Sequence, residues 1–345
     1  MRNPFSLSFG KEPVNAISRD KEMDEIIEEM TSVPPVHQAY IIMGNRGSGK
    51  TVFMTEIATV IRQNKNWIVA ELSPERDILH ALAAELSNRK ELFQVFKDAK
   101  INLSFLGLGL EIDSEPPITD IVVALDRMLD QLTKRGKSVL VALDEAASNQ
   151  YVREFASQFQ IFMRKNYNIY LLMTGLYENI QDLQNEKTLT FLHRAHKHKM
   201  APLNSTLVAK QYQHVFNVSD EEAFAMAKIV KGYPYAYQVL GYLCHKRKCS
   251  YDKILDEFDA YLGEYVYDKI WSELSAKDRS AMYALATSPD GKVENVREIL
   301  NMSSEEFSVY RKRLLQKGIV TGDRYGYLEL VLPRFKEYII QNVYM

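Results

Sequence analysis

Only two cysteines, Cys244 and Cys249, occur in 345 residues. A secreted disulfide framework needs more, so reduced thiols are expected. Long apolar runs are also missing: Val139–Leu143 and Ile169–Met173 fall far short of the ~20 residues that cross a bilayer, which excludes a membrane span. The start, Met1-Arg2-Asn3-Pro4-Phe5, lacks the apolar stretch of a signal peptide, so a cytoplasmic location is expected. No excess of charge is present either. Lys plus Arg number 43 against 45 for Asp plus Glu, a formal charge of −2, which argues against a chain dedicated to coating nucleic acid while leaving local basic surfaces open. The absence of a fixed-period repeat and of low-complexity tracts excludes a solenoid. An apolar share of 46% and a charged share of 26% are those of a folded globular protein, and the length favours two or three domains.

From the N-terminus to about residue 204, short β-rich apolar runs alternate with helical periodicity. That pattern builds a parallel sheet covered by helices. Five strands are expected: Tyr40–Met43, Trp67–Leu72, Val139–Leu143, Tyr170–Met173 and a weaker Lys199–Leu203. Residues 101–111 (INLSFLGLGLE) alternate apolar positions, carry two glycines and precede Pro116-Pro117, which suggests a small hairpin insertion. After Ser205 the strand signals stop. Val208–Phe216, Asp220–Val230, Ala236–His245 and Tyr251–Tyr265 show helical spacing. From Trp271, three short helical segments precede Gly318-Ile319-Val320, a turn over 321–326 and Tyr327–Leu330, the order of a winged helix. The expected fold is therefore α/β, with helices on both faces of a parallel sheet, plus a compact all-α domain and a winged helix. The corresponding domains are 1–204, 205–268 and 269–345.

Gly44-Asn45-Arg46-Gly47-Ser48-Gly49-Lys50-Thr51 follows an expected strand and opens a helix at Val52. This is the full context of a phosphate-binding loop. Glycine lets successive backbone amides converge on phosphate oxygens at a helix N-terminus. Lys50 would reach the β- and γ-phosphates of ATP, and Thr51 would hold Mg²⁺ through its hydroxyl. The apolar run from Ser138 to Leu143 ends in Asp144-Glu145, putting two carboxylates at the same sheet edge. Asp144 is the expected Mg²⁺ carboxylate and Glu145 the group that orients or deprotonates water. A plain acidic helix cap is the alternative for such a pair. Thr174, at the end of the fourth strand, would polarise water near the γ-phosphate or cap the next helix.

With these motifs in place, the sequence resembles the AAA+-like ATPases of the archaeal/STAND group and the origin initiators. The likeness runs through GNRGSGKT at 44–51, LVALDE at 140–145, YLLMTG at 170–175, Gly232-Tyr233-Pro234 and the terminal winged helix. It implies ATP hydrolysis, slow and regulatory, with an ATP/ADP cycle read by lid and winged helix. It also implies adenine contacts from Ile17, Arg19 and Asp20 beside Asn3-Pro4-Phe5 and Phe9-Gly10. Ser18 stands where that family has glycine. Tyr233 and Pro234 would close on the nucleotide, and Arg194 would meet it in cis or from a neighbouring copy in a homo-oligomer. No sensor arginine follows in Tyr235-Ala236-Tyr237-Gln238, so the lid contact would be apolar.

The run His193-Arg194-Ala195-His196-Lys197-His198-Lys199 invites a zinc reading. Neither carboxylate nor thiolate follows at ligand spacing, so a phosphate-facing or partner-facing basic loop is preferred. Cys244, His245 and Cys249 form an incomplete metal shell. In the expected recognition helix, Ser303-Ser304-Glu305-Glu306 is a capping pattern, and Arg311, Lys312, Arg313 and Lys317 offer contacts to duplex DNA. The near-neutral tail also admits a protein partner, so both outputs stay open.

Overall fold

The computed structural model describes residues 3–8, 13–104, 107 and 116–342. Two compact units result: Arg19–Met43 with Lys50–Lys199, and Met1–Ser18 with Gly44–Gly49 and Met200–Met345. The hairpin expected over 101–111 lies largely outside the described residues, as do Phe9 and Gly10.

The first unit holds α1 (Asp20–Thr31), β1 (Ala39–Met43), α2 (Lys50–Arg62), β2 (Trp67–Leu72), α3 (Ile78–Ser87), α4 (Lys90–Asp98) and α5 (Ile121–Lys134). It continues with β3 (Ser138–Leu143), α6 (Gln150–Arg164), β4 (Ile169–Gly175), α7 (Tyr177–Asn185) and β5 (His196–Lys199). The strands form one parallel sheet in the order β2-β3-β4-β1-β5. Every residue of β1 and β4 is buried, as helices on both faces of a parallel sheet require.

One expected strand is displaced. The fifth strand is His196–Lys199, not Lys199–Leu203, and pairs with β1 from Tyr40↔His196 to Met43↔Lys199. An edge strand needs no apolar run; its half-buried histidines alternate with exposed lysines. Placing β4 between β3 and β1 brings Thr174 level with Ile42 while Leu143 pairs with Met173.

The second unit contains α8 (Ser205–Phe216), α9 (Asp220–Val230), α10 (Pro234–Arg247), α11 (Leu255–Leu262), a π-turn over Gly263–Tyr267 and α12 (Asp268–Ser272). There follow α13 (Ala276–Thr287), α14 (Val293–Leu300), α15 (Ser304–Gln316), the antiparallel pair β6 (Val320–Thr321) and β7 (Glu329–Leu330), and α16 (Phe335–Asn342). The capping pattern at the start of α15 is realised: Ser303 Oγ accepts from the Glu306 amide while Glu306 accepts from the Ser303 amide.

A single apolar core runs through this unit from Phe5 to Ile339. Phe5 stacks on Phe216 at 5.7 Å and meets Tyr237 edge-on at 5.5 Å. It occupies the space above Gly241, where an added Cβ would stand 2.4 Å from the ring. Gly241→Ala must therefore expel or tilt Phe5, and a stability loss of about 1–3 kcal/mol is expected, read from the urea midpoint. An unchanged midpoint would show that the N-terminal segment is not held there.

Candidate active site

In the first unit, the chemistry gathers where β3, β4 and α2 meet. Thr51 hydroxyl donates to Asp144 Oδ2 at 2.8 Å. Thr174, fully buried, donates its hydroxyl proton to Asp144 Oδ1 and accepts the Glu145 amide at 3.0 Å. One hydroxyl proton and one lone pair are thereby committed, so Thr174 anchors both acids. It does not cap α7, whose N-cap is Leu176. The Ala146 amide also donates to the Thr174 carbonyl at 2.7 Å, locking the chain on either side of Glu145. That residue is exposed with φ +54°, a left-handed conformation uncommon for glutamate and frequent at functional turns. Lys50, at the start of α2, is 8% exposed, and Val52 is half-buried.

The second unit holds the preceding residues, Gly44–Gly49. Gly47 adopts φ +70°, and a Cβ there would come within 2.4 Å of the Tyr233 hydroxyl and 2.9 Å of Tyr235 Cβ. No other residue fits. Tyr233 donates its hydroxyl to the Arg46 carbonyl, and the Tyr235 amide donates to the Gly47 carbonyl at 3.1 Å. Burial drives the Tyr233 phenol pKa well above its ordinary value, keeping it a neutral donor. A Cβ placed on Gly49 would lie 3.8 Å from Pro234. Both expected lid residues thus reach the glycines of the loop.

Two further contacts were invisible in the sequence. Asn45 Nδ2 donates to the Gly318 carbonyl at 2.8 Å, and Arg46 Nη2 lies 3.2 Å from Glu273 Oε1. Partners more than two hundred residues away carry no local signal. Asn45 and Arg46, read from the motif as phosphate-loop residues, have side chains bound to the C-terminal segment.

The structure aligns with the Walker-type ATPase PABY2304 of Pyrococcus abyssi at a TM-score of 0.67, with 14% identity over 97% of this chain and 99% of that one. The fold is AAA+-like. It aligns also with the Aeropyrum pernix ORC2 protein, solved in ADPNP-ADP complexes, at a TM-score of 0.60, with 12% identity over 99% of this chain and 98% of that one. At such identities the likeness is one of fold. Residues 264–339 match a family model described as a domain of unknown function, DUF8462. A search of curated protein sequences finds no match.

Around this AAA+-like fold the remaining candidates are dispersed. Ile17 is half-buried against the core of the second unit. Arg19 precedes α1, 10% exposed and 3.7 Å from Glu22, and burial lowers its pKa. Asp20 is the first residue of α1. Arg194 is exposed after the 3-10 turn Thr190–His193, without a side-chain partner among the described residues. In α15, Arg313 is bound to the buried Asp278 at 3.0 Å, and Lys312 is exposed. Arg311 packs near Gly322, where a Cβ would stand 3.1 Å from its Nη2, and Lys317 is the C-cap residue. Cys244 is buried, which pushes its thiol up to about 12, and neither cysteine is in a disulfide. No helix among the described residues is long and apolar enough to cross a membrane.

Proposed function

We propose that this chain is a slow, regulatory ATPase whose nucleotide state is read by a helical lid, 205–268, and a winged helix, 269–345, attached to a P-loop domain, 1–204. The observation that carries the reading is the Thr51–Asp144 pair, two hard oxygen donors 2.8 Å apart and held by Thr174. Such a donor set would hold Mg²⁺, which would neutralise charge on ATP phosphates. Lys50 would bind the β- and γ-phosphates, and Glu145 would orient the attacking water. Ile17, Arg19 and Asp20 are assigned to the adenine side, and Arg194 to the nucleotide in cis or from a second copy.

The switch follows from what grips the loop. Tyr233, Tyr235, Gly318 and Glu273 all hold atoms of residues 45–47. A phosphate entering that loop would compete for Arg46 and re-aim the amides those contacts fix. The purified chain should hydrolyse ATP slowly, and chelating Mg²⁺ should remove the activity. Turnover unaffected by chelation would refute the Thr51–Asp144 assignment.

Two outputs compete. Duplex DNA would be met weakly by Arg311, Lys312 and Lys317, whereas the commitment of Arg313 to Asp278 favours a protein partner. Filter binding with and without ATP separates them. If phosphates are contacted, charge reversal at Lys312 and Lys317 should lower the salt slope by about two units. Absence of retention at low salt would select the protein partner.

A further inference from the structure

Away from the phosphate loop, the first unit assembles a second set of metal-competent side chains from three separate segments. Glu29 comes from the last turns of α1, His37 from the loop before β1, and His196 from the first position of β5. The Val36 amide donates to the Glu29 carbonyl at 3.1 Å, folding the loop back onto the helix end. Pairing of His196 with Tyr40 fixes the third member. The ligand-capable atoms of all three side chains lie within 4.8 Å of one another.

The geometry differs from that of an ordinary His–Glu hydrogen bond. His196 Nδ1 stands 3.0 Å from Glu29 Oε2, yet that buried oxygen has no hydrogen-bond partner among the described residues. The imidazole and carboxylate converge without sharing a proton along a good line. His37 faces the same point, its ring 5.6 Å from that of His196 at 71°. Tyr40 packs its ring 5.5 Å from His196 and supports it from the sheet.

We propose that Glu29, His37 and His196 form a binding site for a divalent transition metal of the zinc class. Two imidazoles and one carboxylate are a borderline donor set that suits zinc, with water completing a tetrahedron; calcium and magnesium prefer oxygen alone. Ligand atoms around zinc sit about 3.3 Å apart for bonds of about 2.0–2.1 Å. Small side-chain rotations therefore close the present arrangement around an ion. The bound metal would tie the end of α1 and its following loop to the edge strand.

The test is calorimetric titration of the full, chelator-stripped chain with Zn²⁺, with Co²⁺ absorption as a readout of coordination. One equivalent should bind. The paired substitution His37→Ala/His196→Ala, and separately the isosteric Glu29→Gln, should each weaken binding tenfold or more, and circular dichroism without metal should show both still folded. Cys244→Ser/Cys249→Ser should bind as the native chain does. Absence of saturable binding, or binding that survives the histidine substitutions and disappears with the cysteines, would overturn the proposal.

Discussion

Glu145→Gln should bind ATP with native affinity and hydrolyse it about 10²–10⁴-fold more slowly, the usual contribution of a positioned general base. The amide keeps the size and the left-handed backbone of the glutamate, so its neighbours need not move. The Glu145 amide stays on Thr174 and the Asp144 carboxylate stays between Thr51 and Thr174. What disappears is a carboxylate able to take the proton of an attacking water. Single-turnover hydrolysis alongside equilibrium nucleotide binding makes the measurement. Native turnover in this variant would remove Glu145 from the chemistry and leave Asp144 as the only acid at the strand end.

Lys50→Ala should lose nucleotide binding altogether in a calorimetric titration. An ammonium at the mouth of the helix makes charge-assisted hydrogen bonds of about 1.5–3 kcal/mol each, and two lost phosphate contacts weaken affinity by roughly two to four orders of magnitude. Lys50 is only 8% exposed, so truncation also leaves a void; Lys50→Met, which fills that space without charge, separates the two effects. Loss in both variants assigns the effect to charge. Binding retained by either would place the phosphates elsewhere.

The sheet was legible because strands covered on both faces must be continuously apolar, as in β3 and β4. Asp144 and Glu145 could be placed at the end of β3 because the buried apolar run stops where the carboxylates begin. The fifth strand was misplaced by the same logic: β5 reads His-Lys-His-Lys, and an outer strand with one open side gives no apolar run. Thr174 could be located but its partners could not. Either use of its hydroxyl suits a strand end, and only the register of β3 against β4 shows it reaching Asp144. The grip of Gly318 and Glu273 on Asn45 and Arg46 had no sequence signature. One is a backbone carbonyl and the other a glutamate at a helix C-cap, each distant along the chain. The Glu29–His37–His196 cluster was hidden for a related reason. No acid adjoins the histidine run in sequence, while the fold delivers one from α1.

The outermost strands also have a bearing on self-association. A parallel sheet ends in unpaired amides and carbonyls that could recruit a strand from another molecule. On β5 the exposed Lys197 and Lys199 guard that border, and on β2 Glu71, bound to Arg62, stands at the other. A foreign strand laid along β5 would bring its own side chains against two ammonium groups and strip them of water. The polar composition that concealed this strand in the sequence thus makes sheet extension along β5 unfavourable.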